Sequence, residues 1–167
     1  MNMNDLVFMI LGLITLLGAL GVVAFKNIVH AALALVVSFL GVAGLYFQLQ
    51  AEFLGLVQVM VYAGAISVLV IFAIMLVMDR DPETTNLSHK VNRWWGGLIA
   101  LLFAALIGAS IWESQFTIQA GNVSVDRLGQ IAELLLGDYV VAFEVAAILL
   151  LVAVVGAIIL AKGAKDQ

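Results

Sequence analysis

The feature of this chain that most constrains its fold is a run of 26 residues without a formal charge, residues 53–78. At a rise of about 1.5 Å per residue, a helix of this length extends roughly 39 Å, whereas the hydrocarbon core of a bilayer is about 30 Å thick. Such a helix can cross a membrane with tilt or overhang. Its centre is unusual for a simple anchor, because Gln58, Tyr62 and Ser67 place polar groups among small residues. We therefore expect the function of the chain to depend on this centre.

The composition indicates that the bilayer is the solvent of the whole chain. Of its 167 residues, 65% are hydrophobic and 11% are charged, whereas soluble domains carry about 25% charged residues. A chain of this size cannot bury so much apolar surface inside itself. Backbone groups in lipid must be satisfied within each spanning segment, so continuous apolar runs should be helices. The predicted fold class is an all-α integral membrane protein.

Five apolar runs predict five transmembrane helices in a single transmembrane domain that covers residues 1–167. Their approximate bounds are 6–25, 31–47, 53–78, 94–112 and 139–161. Between the spans, the sequence predicts a polar loop at 79–93, a small hairpin at 116–125 and a short amphipathic helix at 126–136. The first residues lack the Lys or Arg of a signal peptide, so we expect the first segment to be retained as a helix.

The distribution of basic residues predicts the orientation. With the N-terminus outside, Arg127 is the one basic residue among seven that faces outward. Cytoplasmic loops carry an excess of Lys and Arg. The N-terminus is therefore predicted outside and the C-terminus in the cytoplasm.

Short spacings predict how the helices pack. Residues 48–52 form so short a connection that the second and third helices should be an antiparallel hairpin. Small residues four positions apart share a helix face and allow close approach of helices in lipid. They indicate packing seams, unless they only reflect how common Ala and Gly are in membrane helices. The two sets are Ala34 with Ser38, and Ala100 with Ala104 and Gly108.

The residue types restrict the chemistry of this chain. It has no Cys, and its two His residues, His30 and His89, are far apart in sequence. These features exclude thiolate-bound iron–sulfur or zinc centres on the chain. No phosphate-binding loop or nucleic-acid motif is present. We expect no catalytic residue, no metal and no bound cofactor on this chain, and no nucleic-acid partner.

Two acidic residues are candidates for a proton path. Glu144 is the only ionisable residue well inside a predicted span, and a carboxylate in hydrocarbon is costly unless it faces protein or water. It is either a proton-relay or water-coordinating carboxylate, or a polar residue bonded to a neighbouring helix near the interface. Glu52 lies at the mouth of the third span, where the helix macrodipole favours an acid. Its simpler interpretation is an interfacial residue.

The centre of the third span is either a hinge or a close-packing patch. Gln58 and Tyr62 are four positions apart and share a face, where they could hold water or bond an adjacent helix. Gly in a helix interior lowers the cost of leaving α geometry, and small neighbours reduce steric resistance. An added residue in one turn, a π-bulge, would rotate the rest of the helix by about 100°. The hinge would comprise Val61, Tyr62, Ala63, Gly64 and Ala65.

Three stretches of the chain resemble one protein family. They are residues 26–32, KNIVHAA; residues 52–66, with VYAGAI at the end; and residues 143–146, FEVA. In these stretches the chain is similar to the J-type (mitochondrial ND-six-type) membrane subunit of respiratory complex I, the proton-pumping NADH:quinone oxidoreductase. The resemblance covers nearly all of the chain, and its most specific part is Tyr-Ala-Gly-Ala in a third helix.

The resemblance implies a non-redox membrane-arm subunit that helps couple quinone reduction to proton translocation. In the family, the third helix carries a π-bulge near the position of Tyr62. Its conversion to a regular α-helix is associated with opening or closing a water path. Some relatives carry a carboxylate at the position of Gln58, and Gln cannot exchange a proton near neutral pH. The candidates for a proton path or coupling are Tyr62, Gly64, Glu144, Glu52 and Gln58.

The resemblance also implies partners and a location. The partners would be other membrane subunits of complex I, namely the quinone-site, A-type, K-type and antiporter-like subunits, together with the lipid bilayer. FMN, iron–sulfur clusters and quinone are expected elsewhere in the complex. We expect a multi-pass protein of the bacterial inner (plasma) membrane, with a mitochondrial or thylakoid membrane as alternatives.

Two other functions are compatible with the residues. A purely structural assembly subunit would let larger subunits pack and would have no moving part. A small subunit of a multi-chain cation/proton antiporter would share the architecture without redox chemistry.

Overall fold

The structure, a computed structural model, describes residues 2–77, 90–114 and 127–163. Within these ranges it is helical and contains no strand. The helices are α1 Met3–Ala24, α2 Ile28–Gln48, α3 Glu52–Val57, a π-helical segment Gln58–Ile66, α4 Ser67–Val77, α5 Lys90–Glu113, α6 Arg127–Leu136 and α7 Val140–Gly163. We call Gln58–Ile66 the π-segment, and α3, the π-segment and α4 together the third span.

Among the described residues, five helices are long and apolar enough to cross a membrane. Their bounds are Met3–Ala24, Ile28–Gln48, Glu52–Leu76, Trp95–Glu113 and Val140–Gly163. The all-α fold class with five spans is therefore confirmed, and α6 confirms the amphipathic helix predicted at 126–136. The orientation of the chain in the membrane stays a prediction.

The fourth span and its preceding loop differ at one boundary from the sequence prediction. The polar loop was expected to continue to residue 93, but α5 begins at Lys90. Lys90–Arg93 contains no Gly or Pro that would stop a helix, so the backbone can begin its hydrogen bonding before the apolar run starts at Trp94. The rest of the predicted loop, residues 79–89, and the predicted hairpin at 116–125 lie outside the described residues.

Helices α1 and α2 pack tightly along a seam of small residues. A Cβ atom added at Gly18 would lie 2.8 Å from the Ser38 backbone nitrogen, and one at Gly21 would lie 3.0 Å from the Ala34 Cβ. The Ser38 hydroxyl donates a 3.1 Å hydrogen bond to the Thr15 carbonyl oxygen across the seam. The seam predicted at Ala34 and Ser38 is confirmed, with α1 as its partner.

The second connection makes α2 and the third span an antiparallel hairpin, as predicted. Gln50 adopts a left-handed backbone conformation with φ of 59°, and the next amide, that of Ala51, donates a 2.9 Å hydrogen bond to the Tyr46 carbonyl oxygen. This pattern satisfies the last carbonyls of α2. The turn places the Phe47 ring against Gly55, where a Cβ would lie 3.0 Å from the ring.

The chain divides into two compact units, Met1–Glu113 and Ser114–Gln167. In the second unit, α6 packs on α7, and the Gly137 amide donates a 2.9 Å hydrogen bond to the Glu133 carbonyl oxygen where α6 ends. In the first unit, the small residues of α5 lie open, and a Cβ added at Gly108 meets nothing within 4 Å. The packing seam at Ala100, Ala104 and Gly108 and the single-domain organisation stay predictions.

Candidate functional site

The third span departs from α-helical hydrogen bonding in its centre. Over the nine residues Gln58–Ile66 it is a π-helix, in which amides bond to carbonyls five residues back. The backbone does not break at either end, because φ and ψ are −60° and −41° at Val57 and −62° and −42° at Ser67. The site is therefore a change of helical register inside one continuous helix, and it contains all five residues of the predicted hinge.

Ser67 closes the π-segment at its C-terminal end. Its amide donates to the carbonyl oxygens of Tyr62 and Gly64, and its hydroxyl donates a 2.8 Å hydrogen bond to the same Tyr62 oxygen. Only 2% of Ser67 is exposed. One carbonyl thus accepts two hydrogen bonds from a residue five positions later, in a place that water does not reach within this chain.

Gly64 gives the π-segment room for its own backbone. A Cβ atom added there would lie 3.2 Å from the Val59 carbonyl oxygen, five residues earlier, and would meet no other group. This distance is tighter than most Cβ contacts, so a side chain at this position would press on the backbone of its own helix. Gly64 is therefore suited to the π geometry itself rather than to contact with a neighbouring helix.

Tyr62 packs on α2 through its ring. The rings of Tyr62 and Phe39 meet edge to face, with centroids 5.5 Å apart and an interplanar angle of 71°. Such a pair contributes about 0.5–1.5 kcal/mol beyond its buried area. The Tyr62 side chain is nevertheless 43% exposed. The residue therefore joins the π-segment to α2 on one side and presents surface on the other.

Gln58 and Ser67 are both buried although they are nine positions apart in the third span. Both are buried, with 8% and 2% of their surface exposed, and α2 is the helix that packs along α3, the π-segment and α4. Nine positions of a regular α-helix turn through about 900°, which would put the two residues on opposite faces. We infer that the π geometry brings both polar side chains towards α2.

The side-chain amide of Gln58 has no hydrogen-bond partner among the residues that the structure describes. A buried carboxamide offers two donors and one acceptor, and leaving them unmade costs about 1–3 kcal/mol. The group therefore has free hydrogen-bonding capacity inside the packed part of the chain. It can take water or a polar group of another subunit.

The two acidic candidates are exposed, whereas Gln58 and Ser67 are buried. Glu52 is the first residue of α3 and is exposed, six positions before Gln58. Glu144 is exposed on α7 and belongs to the second unit. In the described parts of the chain, no group of three or more His, Cys, Asp and Glu residues could hold a metal ion.

The sequence analysis did not name Phe39, and it named Ser67 only as one polar group in the centre of the third span. Phe39 had no distinguishing signal, since an aromatic residue in an apolar span is common. Ser67 did have a signal in the sequence. It is nine positions from Gln58, so the two residues would lie on opposite faces of a regular α-helix. Two buried polar residues on opposite faces of a span indicate a changed register once the burial of both is known.

Most of the chain is similar in sequence to known proteins. Residues 18–160 match the family model for NADH-ubiquinone/plastoquinone oxidoreductase chain 6. The chain belongs to this family. It is 40% identical over 165 residues to F(420)H(2) dehydrogenase subunit J of Methanosarcina mazei, covering 96% of this chain and 92% of the relative. It is 39% identical over 160 residues to NAD(P)H-quinone oxidoreductase chain 6 of Synechocystis sp., covering 93% of this chain and 79% of the relative.

The name of a third relative refers to an organelle, the chromatophore. The chain is 38% identical over 159 residues to NAD(P)H-quinone oxidoreductase subunit 6 of the organellar chromatophore of Paulinella chromatophora, covering 93% of this chain and 76% of the relative. The match of the family model includes the whole third span, together with α2, α5 and α6. The resemblance read from the sequence is therefore confirmed. The chain is a membrane subunit of an oxidoreductase complex of the chain 6 family.

Proposed function

We propose that this chain is the non-redox subunit through which a proton-translocating quinone oxidoreductase couples electron transfer to proton movement, and that the π-segment is the coupling element. The observation that carries the proposal is the nine-residue π-helix between two α-helical halves of one span. A π-helix differs from an α-helix in register, so interconversion turns one half of the span relative to the other. The ends of the helix need not move.

The polar groups in the π-segment support a role in a water path. Gln58 has an unpaired amide among the described residues and is 8% exposed. If one half of the span turns, Gln58 and Ser67 cannot both stay against α2, because α geometry separates them by half a turn. Turning the helix would therefore insert or withdraw hydrogen-bonding groups at one place in the membrane. This is a gate that needs no titrating residue at its centre.

The names of the relatives support a division of roles among the subunits of the complex. Their names specify different electron donors, F(420)H(2) in one case and NAD(P)H in others, although each is about as similar to this chain. We infer that this subunit does not select the donor, and that flavin, iron–sulfur clusters and the quinone site belong to other subunits. The quinone-site, A-type, K-type and antiporter-like subunits are its proposed partners.

The same relatives bear on location. They come from an archaeon, a cyanobacterium and an organelle, so the family works in more than one kind of energy-converting membrane. We propose the bacterial inner membrane for this chain. Separating the membranes of the source cells and probing each fraction for this subunit tests that location directly.

Replacement of Gly64 by Val tests the coupling role. The new side chain would press on the Val59 carbonyl oxygen and disfavour the π geometry. The assembled complex, reconstituted in liposomes, should still reduce quinone but should translocate fewer protons per quinone. The matched control is Gly156→Val, since a Cβ at Gly156 meets nothing within 4 Å among the described residues. Native proton stoichiometry in an assembled Gly64→Val complex would contradict the proposal.

A further inference from the structure

We infer that the Ser67 hydroxyl is the positioning group that holds the π-segment in its π register. Deleting this hydroxyl should shift the third span towards a regular α-helix. The inference rests on the hydrogen bonding of the structure, and its consequence for proton movement rests on the function proposed above.

A comparison of hydroxyl groups carries the inference. Three hydroxyls in the described spans bond back to their own helix. Thr15 and Ser110 lie in α-helices and each donates to the carbonyl four residues earlier, Leu11 and Leu106, at 2.9 Å. Ser67 instead donates to the carbonyl five residues earlier, that of Tyr62, at 2.8 Å. The Ser67 hydroxyl therefore follows the π register, whereas the other two follow the α register.

The backbone at Ser67 explains why this hydrogen bond should matter. The Ser67 amide is shared between the Gly64 and Tyr62 oxygens, so its bond to Tyr62 is weaker than an unshared one. The hydroxyl supplies a second donor to the same Tyr62 oxygen. In an α-helix this oxygen would accept from the Ile66 amide and would not need the hydroxyl. In the α register the hydroxyl would donate to the Ala63 carbonyl oxygen, as Thr15 and Ser110 donate four residues back, but that oxygen would already accept the whole Ser67 amide. The hydroxyl adds more where the amide bond is shared, so it stabilises the π form more than the α form.

Burial strengthens the effect of the hydroxyl. Ser67 is 2% exposed, so water does not replace the hydrogen bond within this chain when the hydroxyl is removed. A buried carbonyl that loses a donor in such a place is left under-satisfied. Without the hydroxyl, the Tyr62 oxygen keeps only the shared Ser67 amide, whereas in the α pattern it would accept the Ile66 amide. Ser67→Ala should therefore change the population of two helical registers rather than simply loosen the span.

The test compares Ser67→Ala with Ser38→Ala in the intact complex. Ser38 is the matched control, because it is also a buried serine whose hydroxyl donates to a backbone carbonyl, but across the α1–α2 seam. Electron cryo-microscopy of each complex during turnover would count particles with π and α register through residues 58–67. One neutral hydrogen bond corresponds to about a fivefold change in this ratio. We expect that decrease in the π fraction for Ser67→Ala and none for Ser38→Ala.

Ser67→Cys provides a graded variant that keeps a similar volume. Since a thiol is a weaker donor than a hydroxyl, the π to α ratio should fall between those of the native and Ser67→Ala complexes. If Ser67→Ala prevents assembly, the cysteine variant decides by the same count. A native ratio in whichever of these variants assembles would overturn the inference, as would an equal shift in Ser38→Ala.

Proton translocation measured on the same samples separates this inference from the proposed function. A shifted ratio with fewer protons per quinone supports both. A shifted ratio with native proton stoichiometry leaves Ser67 as the group that sets the register and contradicts the coupling role of the π-segment. An unchanged ratio of π to α register in the Ser67 variants would contradict the role of Ser67, whatever proton stoichiometry the Gly64→Val complex shows.

Discussion

The two sides of α2 show two ways of packing a helix in a membrane. Towards α1, small residues bring the backbones together, and the Ser38 hydroxyl bonds across to the Thr15 carbonyl. Towards the third span, the contacts include the rings of Phe39 and Tyr62, and the Ser67 hydroxyl bonds within its own helix. The first side fixes one helix to another. On the second side the Ser67 hydrogen bond stays within the third span, so it can change partner without breaking a bond to α2.

Glycine has a different use on each side. A Cβ at Gly18 would collide with the α2 backbone at Ser38, and a Cβ at Gly41 would collide with Thr15. At Gly64, in contrast, a Cβ would meet the Val59 carbonyl of its own helix. Close packing between helices makes the seam rigid, because no small shift relieves the collision. Crowding within a helix is relieved by a change in register, so glycine here permits a second conformation.

The largest effect is expected where the seam is rigid. Gly18→Val would push a side chain into the α2 backbone, and overpacking of this kind costs about 1–3 kcal/mol. We expect much less assembled subunit in the membrane, measured by immunoblot of the purified complex. Gly12→Val on the same helix is the control, since a Cβ there meets nothing within 4 Å. Equal assembly of both variants would mean that the seam is not what holds α1 to α2.

The contact between Phe39 and Tyr62 should give the next largest effect. The ring pair is worth about 0.5–1.5 kcal/mol, so Tyr62→Leu and Phe39→Leu should each reduce coupled proton translocation and should be non-additive in the double variant. Tyr62→Phe keeps the ring and should be close to native. If Tyr62→Phe is as impaired as Tyr62→Leu, the phenolic hydroxyl and not the ring is the functional group.

The sequence was sufficient for the spans and for part of the packing. Long apolar runs predict helices in lipid because backbone groups have no other partner there, and the short connection at residues 48–52 predicts an antiparallel pair. Ala34 and Ser38 indicated a seam. They could not indicate which helix packs against this seam. Gly18 and Gly21 can be matched to them only when the geometry of the turn between α1 and α2 is known.

The third span was predictable in place but not in detail. The small side chains around Gly64 indicated a helix that could leave α geometry. Close packing against another helix was the alternative interpretation. The nine-residue extent of the π-segment depends on which carbonyls pair across it. That choice is made jointly by the Ser67 hydroxyl, the Phe39 ring and the fit against α2, none of which a one-dimensional pattern describes. Roles for Val61, Ala63 and Ala65 in a hinge stay predictions.

Removing the buried amide of Gln58 should change proton translocation more than it changes the stability of the subunit. Gln58→Leu removes a buried polar group that has no partner in the described chain, and such a replacement is close to neutral or stabilising for folding. If the amide holds water or a group of another subunit, proton translocation should nevertheless fall while assembly stays native. The pair of measurements is protons per quinone in liposomes and subunit yield. Unchanged translocation would assign Gln58 to packing alone.

The smallest effect is expected at Glu52, which lies outside both packed sides of α2. Its carboxylate is exposed in the first turn of α3, where an acid stabilises a helix by about 0.3–1 kcal/mol at low salt. Glu52→Gln should therefore lower the thermal stability of the complex slightly, and the difference should shrink as salt is added. Proton translocation should be native, since Glu52 lies outside the π-segment. If Glu52→Gln loses proton translocation to the same extent at every salt concentration, protons enter at the mouth of the third span rather than at its buried centre. The comparison between a fixed seam and a switchable helix would then no longer account for coupling, because a surface carboxylate can exchange protons without any change in helical register.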